Sequence, residues 1–133
     1  MNQLMELNLA PGTEGRKEII VTPDKTAIAY GSGTLGILAT PAMIALMEQT
    51  AMDSVATFLP ANLVTVGTEV SIKHFKATLP GKVVTFYSKL IQVEGQKLLF
   101  EVSAADESEL IGKGTHTRYV VDKQIFIDNL NKK

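Results

Sequence analysis

The periodicity of the apolar residues changes once along this chain, at Pro60. Before it, apolar residues occupy most sides of a helical wheel from Thr40 to about Phe58, and a helix of that kind is buried. Thr40 is a favourable N-cap and Pro41 a favourable first helical residue, so the pattern predicts a helix that begins there and ends before Pro60. After Pro60, apolar and polar residues alternate, as they do in strands with one buried face.

Alternation predicts four strands after this helix, separated by short turns. Strands joined by short turns are antiparallel, so the four strands are expected to form a meander. A further strand, bent or in two pieces, is predicted before the helix, and a short amphipathic segment at the end of the chain is predicted to be helical. The predicted ranges are 17–30 for the first strand, 64–74, 82–93, 97–104 and 110–121 for the later strands, and 123–130 for the last helix.

A single helix that is apolar on most sides needs a sheet that wraps it. One long helix with about five antiparallel strands therefore predicts an α+β hotdog fold, in which the sheet wraps round the central helix. One domain is expected over residues 1–133, with residues 1–15 as a loose lead-in and residues 123–133 as a short tail. The exposed edge strand of such a small sheet is expected to pair with a second copy of the chain.

Composition excludes several classes of function. Among the 133 residues the net charge is −1, whereas a nucleic-acid binder usually carries a basic patch. The chain has no cysteine, and its two histidines lack metal-ligand spacing, so no disulfide and no metal site are expected. No apolar run approaches membrane-spanning length, and the N-terminal residues lack the pattern of a secretory signal. A cytoplasmic protein with no membrane or nucleic-acid partner is therefore expected.

A glycine-rich segment at Gly31–Gly36 matches the G-x-G-x-x-G pattern of dinucleotide-binding proteins letter for letter. That reading requires a βαβ unit in a parallel sheet, whereas hairpins are predicted downstream of the helix. The segment is therefore interpreted as a flexible loop. Because it leads directly to the N-terminus of the helix, it could still border a functional site.

The helix carries a lone acid, Glu48, and no lysine or arginine occurs between Lys25 and Lys73. Even spacing along the first strand after the helix places His74 on the same face as Val64, toward the helix. Glu48 and His74 could therefore converge from helix and sheet. A neutral imidazole can act as a base near pH 7, and a carboxylate in apolar surroundings needs such a polar partner.

Each of these residues also has a plain structural explanation. Glu48 could be solvated where the helix emerges, and His74 could be a surface residue at the end of a strand. Thr40 could serve only as an N-cap, and Arg118 could be a surface charge. Gly67 within a strand could mark a bulge or a place where a ligand approaches the backbone closely.

Four segments together carry a resemblance to a known family: LATPAMIALMEQTA, VGTEVSIKHFKATLPG, VEGQKLLFEVSAAD and IGKGTHTRYVV. They resemble the fluoroacetyl-CoA thioesterase-like family of hotdog proteins, over about residues 15–122. The order and spacing are specific: a threonine eight residues before a glutamate on the helix, a Gly-Thr pair seven and six residues before a strand histidine, and a closing Gly-Thr-His-x-Arg.

The resemblance implies hydrolysis of an acyl-CoA thioester to the free acid and coenzyme A. The family's catalytic threonine, glutamate and histidine fall on Thr40, Glu48 and His74. Coenzyme A would enter only as part of the substrate, so no separate cofactor is expected. Members of the family are homodimers with sites near the subunit interface, and the resemblance therefore implies a homodimer, or a tetramer of paired dimers.

The resemblance also implies which residues hold the substrate. The family's strand glycine, whose backbone helps to hold the thioester, falls on Gly67, and Thr68 is expected to contact the substrate beside it. The family's closing arginine falls on Arg118, which would contact coenzyme A or the partner subunit.

One departure from the family bears on the acyl group. Fluoroacetyl-specific members close the acyl pocket with aromatic residues in the loop before the helix, but here no aromatic residue occurs between Tyr30 and Phe58. Another short or medium acyl group is therefore expected. Two alternatives stay open: an acyl-CoA or small-ligand binding protein without turnover, and a hotdog hydratase or dehydratase.

Overall fold

The computed structural model describes residues 7–132 of the chain, so residues 1–6 of the expected lead-in lie outside it. Its elements follow the predicted order of strand, long helix, four strands and terminal helix, with one additional short helix before the long one. Their bounds are β1 (Glu14–Ile20), α1 (Ala27–Tyr30), α2 (Thr40–Ala56), β2 (Leu63–His74), β3 (Val83–Glu94), β4 (Lys97–Ala105), β5 (Leu110–Asp122) and α3 (Lys123–Asn131).

The five strands form one antiparallel sheet with the order β1-β3-β4-β5-β2. This confirms the predicted α+β arrangement of one long helix and five antiparallel strands. The predicted meander is correct for β3, β4 and β5 but wrong for β2, which pairs with β5. Eight residues, 75–82, separate β2 from β3, so the connection is too long for a tight hairpin. As a result β2 is an edge strand.

Helix α2 packs against β1, β2, β3 and β4 through one face only. Methionine, alanine and valine side chains of the helix interlock there with Phe86, Leu98 and Phe100 of the sheet. The buried helix residues are Ala42, Met43, Met47, Thr50, Ala51 and Val55. The opposite face is exposed, so the prediction that the helix is buried on most sides is wrong for a single chain. The exposed residues of the helix are Thr40, Pro41, Ala45, Gln49, Met52, Asp53 and Ala56.

The strand predicted over residues 17–30 ends early, at Ile20. A 3₁₀ turn and then α1 follow it, and local capping explains the helix. The Thr26 side chain accepts a hydrogen bond from the Ala29 N–H at 3.3 Å, and Gly31 ends the helix with a left-handed φ of 69°. The β-branched residues of this segment therefore did not determine its conformation.

A bulge interrupts β2. The register with β5 shifts between Gly67 and Glu69, so Thr68 is the extra residue. The shift reverses which set of residues faces the helix. Leu63 before the bulge and Ile72 after it both pack against the core, although one number is odd and the other even.

The bulge corrects the predicted strand face. Val64 and Val66 do not share the face of His74, because the bulge lies between them. His74 itself does face the helix, as predicted. His74 faces the helix because it lies two residues after Ile72, which also faces the helix on this side of the bulge. The alternation is not continuous along the whole strand.

Candidate active site

Thr40 and His74 form the first half of the candidate site. The Thr40 hydroxyl oxygen lies 2.8 Å from His74 Nδ1. The prediction that Thr40 caps α2 is wrong, because Ala39 occupies the N-cap position and Thr40 is the first helical residue. Its hydroxyl is thus turned toward the end of β2 instead of toward the helix backbone.

Backbone hydrogen bonds fix the helix start against the end of the sheet. The Leu38 N–H donates to the Thr78 carbonyl at 2.8 Å, and the Ala39 N–H donates to the Lys25 carbonyl at 2.9 Å. Leu38 and Ala39 are both buried. The backbone that leads into Thr40 is therefore held in place by buried hydrogen bonds.

The surroundings of His74 favour its neutral form. Burial lowers the pKa of His74, and the nearby Lys76 backbone opposes part of that shift. A neutral imidazole can accept the Thr40 hydroxyl proton at Nδ1, in which case Nε2 carries the ring hydrogen. Within residues 7–132, the buried Nε2 has no hydrogen-bond partner. A buried donor of this kind is normally satisfied by ordered water or by another polar group.

A pocket of about 380 Å³ opens beside this pair. The loop before α2, the first turn of α2 and the end of β2 line it. Ser32 from the glycine-rich loop is among the lining residues, which agrees with the expectation that this loop borders a site. Thr40, Pro41, His74 and Phe75 also line the pocket.

The second half of the candidate site surrounds Gly67. A Cβ atom at this glycine would lie 3.0 Å from Glu48 Oε2, 3.2 Å from Arg118 Nη1 and 3.2 Å from His116 Cε1. Three polar side chains, from α2 and β5, therefore converge on the Gly67 backbone. A larger residue at this position would press on these three side chains. Of the two readings that the sequence left open, the register shift directly after Gly67 confirms the bulge, and the close approach of a ligand stays a prediction.

Arg118 is buried, so the surface-charge reading of this residue is excluded. Its Nε donates to Thr65 Oγ1 at 2.7 Å and its Nη2 donates to the Thr65 carbonyl at 2.9 Å. Burial lowers the pKa of Arg118, and the negative charge of Glu48 opposes that shift. Glu48 thus stands near a buried cation after all, one that comes from a distant part of the sequence.

His116 completes the second half, and the sequence reasoning did not single it out. Its Nδ1 lies 2.8 Å from the Glu69 carbonyl, and its Nε2 lies 3.1 Å from Arg118 Nη1. A carbonyl can only accept and a guanidinium can only donate, so His116 is neutral with its hydrogen on Nδ1. Burial is the main cause that lowers the pKa of His116. The two-residue spacing from Arg118, which places both on one face of a strand, was the signal available in the sequence.

Thr68 sits at the bulge between these groups. Its hydroxyl donates to the Thr117 carbonyl at 3.3 Å, which ties the extra residue to β5. The side chain is exposed next to Gly67.

The two halves do not meet within one chain. Thr40 and Glu48 are eight residues apart on α2, a rise of about 12 Å. Gly67 and His74 are separated by about 20 Å of strand. The predicted convergence of Glu48 with His74 is therefore wrong for a single copy: His74 pairs with Thr40, and Glu48 stands with Gly67 and Arg118.

Two other findings bear on the chemistry. No group of three or more histidine or acidic side chains that could hold a metal ion occurs in the described part of the chain. Among the helices within residues 7–132, none is both long and apolar enough to cross a membrane.

Comparison with known proteins identifies the family. Residues 21–124 match the family model described as fluoroacetyl-CoA-specific thioesterase. The chain is 36% identical over 97 residues to the fluoroacetyl-CoA thioesterase of Streptantibioticus cattleyicolor, covering 73% of this chain and 70% of that protein.

Solved structures agree with this result. A structure of the fluoroacetyl-CoA thioesterase FlK superposes with a TM-score of 0.88 and 31% identity, over 95% of this chain and 98% of that one. A hot-dog-like protein from Thermanaerovibrio acidaminovorans superposes with a TM-score of 0.84 and 24% identity, over 98% and 94%, and supports the hotdog fold. The chain belongs to the fluoroacetyl-CoA-specific thioesterase family.

Proposed function

We propose that this protein is an acyl-CoA thioesterase that hydrolyses a short or medium acyl-CoA to the free acid and coenzyme A. The observation that carries the proposal is the Thr40 hydroxyl at 2.8 Å from a neutral His74, beside a pocket at the N-terminus of a helix. A hydroxyl bonded to a neutral imidazole is a nucleophile with its base. The activity named for the relatives supports the same reaction.

The proposed active site is built from two copies of the chain. Each copy carries Thr40 and His74 at one end of β2 and Glu48 with Gly67 at the other. If the β2 edges of two copies pair antiparallel about a two-fold axis near Val70, each Gly67 stands opposite the partner's strand end. This pairing would bring Glu48 of one copy close to His74 of the other.

Two further features support a homodimer. The exposed face of α2 carries Ala45 and Met52 and only one clearly solvated acid, Asp53, which is the composition of a surface that a partner covers. The buried His74 Nε2 also has no hydrogen-bond acceptor among residues 7–132. A carboxylate from the partner's Glu48 is the acceptor that would orient the ring and stabilise its charged form.

The proposed reaction begins with attack on the thioester carbonyl carbon. His74 takes the proton of the attacking oxygen at Nδ1, the tetrahedral oxyanion forms, and the carbon–sulfur bond breaks as the proton passes to the leaving sulfur. The first turn of α2 in one copy and the backbone near the partner's Gly67 supply the positive dipoles that stabilise the oxyanion.

Two routes use this geometry. Thr40 can attack to give an acyl-enzyme that water then hydrolyses, or water held by Thr40 and His74 can attack directly. Mass spectrometry of rapidly quenched enzyme separates them, because only the first route leaves an acyl group on Thr40. Both routes consume water and need no separate cofactor.

The acyl group is proposed to be other than fluoroacetyl. The loop at residues 31–39 contributes Ser32, Ile37 and Leu38 to the pocket and no aromatic ring. A cytoplasmic location is part of the proposal, since coenzyme A thioesters are intracellular substrates.

The test is thiol release from a panel of acyl-CoAs, from acetyl through medium-chain to aryl-acetyl. Purified wild type is compared with His74→Ala and with Glu107→Ala, an exposed control in the β4–β5 turn. The proposal expects turnover of one subset by wild type and control and its loss in His74→Ala. Saturable binding of an acyl-CoA with no turnover by any protein would favour the binding-protein alternative.

A further inference from the structure

A second and larger concavity lies on the face of the sheet that points away from α2. It is a groove of about 1120 Å³, lined by residues of all five strands. The only lining residue that it shares with the 380 Å³ pocket is Phe75. Phe75 is 54% exposed and follows His74 directly, so the two cavities adjoin at this residue.

The groove has an excess of positive charge at one end. Four cations and two acids line it, and the acids stand beside one cation: Glu14 and Glu101 are the cross-strand neighbours of Lys89. The remaining lysines, Lys73 and Lys113, are directly opposite each other on β2 and β5. Like charges in that position destabilise a sheet unless an anion lies between them.

The two opposed lysines lack carboxylate partners. Among residues 7–132, no acidic oxygen lies within 4 Å of Lys73 or Lys113. The closest acid in the strand register is Glu101, which is diagonal to Lys113 across β4 and β5. The pair is thus a concentration of positive charge that no ion pair within residues 7–132 neutralises.

Hydroxyl groups and an aromatic ring surround this charge. Ser103 is opposite Lys113 in the register, and Tyr87 is in turn opposite Ser103. Tyr87 is 42% exposed, and Arg16 lies next to it on β1. Ammonium groups with hydroxyl donors suit phosphate oxygens, and an exposed tyrosine beside a guanidinium suits a stacked base.

We propose that this outer-face groove binds a phosphorylated nucleotide, with its phosphates on Lys73 and Lys113 and its base against Tyr87. Two sources share this chemistry. One is the nucleotide head of the acyl-CoA, whose thioester arm would cross Phe75 into the catalytic pocket; that source rests on the proposed function. The other is a free nucleotide that binds independently of the substrate.

The first experiment is direct binding of adenosine 3′,5′-bisphosphate, measured by calorimetry at low and moderate salt. Wild type is compared with Lys73→Gln, Lys113→Gln and the control Lys97→Gln, which lies on β4 outside the groove. Saturable binding by wild type and control is expected, with a loss of about tenfold or more in each groove variant. No saturable binding, or equal affinity in all four proteins, overturns the proposal.

A kinetic comparison then separates the two sources. If the ligand is the substrate head, Lys113→Gln raises KM for the acyl-CoA and leaves KM unchanged for the same acyl group on pantetheine, which lacks the nucleotide. If the ligand is a free nucleotide, both KM values stay at wild-type level while binding of the bisphosphate is lost. An equal rise of KM on both substrates would indicate a general structural effect and contradict the proposal. Because the binding assay needs no turnover, it distinguishes failure of this site from failure of the proposed function.

Discussion

Thr40 Oγ1 and His74 Nδ1 lie 2.8 Å apart although 34 residues separate them in sequence. The first residue of α2 presents the hydroxyl and the last residue of β2 presents the ring. Buried backbone bonds at Leu38 and Ala39 hold the helix start in place. The pair is therefore set by rigid elements, which is what a nucleophile and its base require.

Replacing Thr40 with valine keeps the shape of the side chain and removes the hydroxyl. We expect kcat to fall by about 100-fold or more, because the attacking or water-holding oxygen is lost. Thr40→Ser should retain much of the activity. Thr57→Val, at the other end of α2, is the matched control. Full activity in Thr40→Val would show that this hydroxyl takes no part in the reaction.

The pH dependence of kcat/KM should report His74. The base must be neutral, and burial places the pKa of His74 below its ordinary value of 6.5. Activity should therefore rise with pH through an acid limb. Because the carboxylate of the partner's Glu48 would stabilise the charged ring, the midpoint should lie lower in Glu48→Gln, where burial acts alone, than in wild type. An identical midpoint for the two proteins in the thiol-release assay would contradict a carboxylate beside His74.

Stability should depend on pH through His116. The pKa of His116 is lower in the folded chain than the ordinary value of 6.5. Between these two pKa values the unfolded chain therefore binds more protons than the folded chain. The free energy of unfolding should decrease as the pH is lowered through this window. Protonation would also set a charged ring against Arg118, an effect that Glu48 only partly offsets. His116→Gln should show a weaker dependence in urea unfolding between pH 5 and 7. An identical slope in the variant would exclude this role.

A methyl group at Gly67 should disturb the second half of the site. Gly67→Ala would place a Cβ at 3.0 Å from Glu48 Oε2, so we expect loss of activity and a decrease of about 1–3 kcal/mol in the free energy of unfolding. Gly36→Ala is the control, since a Cβ there meets no atom within 4 Å. The prediction is refuted if both variants behave as wild type in thiol release and in denaturant unfolding.

Much of the fold could be predicted from local pattern. Leu98, Phe100, Val102 and Ala104 alternate on β4, and all four are buried as expected. The start of α2 was also predicted to within one residue. In these segments local propensity and tertiary packing favour the same structure, so a single sequence is sufficient.

The remaining features depend on contacts that are distant in sequence. No local sequence signal predicts the bulge at Thr68, because the bulge depends on contacts with β5. The bulge in turn changes which residues of β2 face the helix. The lone Glu48 has its cation in Arg118, 70 residues away, and the neutral tautomer of His116 follows from bonds to two other strand positions. The family resemblance named Thr40, Glu48, His74, Gly67 and Arg118 without showing that these residues divide into two groups within one chain.

The most direct test of the central claim, that two copies of the chain together form one thioesterase site, is subunit complementation. Glu48→Ala and His74→Ala are each purified, unfolded together, refolded and assayed for thiol release. If the site combines His74 of one copy with Glu48 of the other, half of the random dimers are mixed and each contains one intact site, so the mixture should regain about a quarter of wild-type activity. A mixture that forms mixed dimers and stays as inactive as its two components would contradict the account.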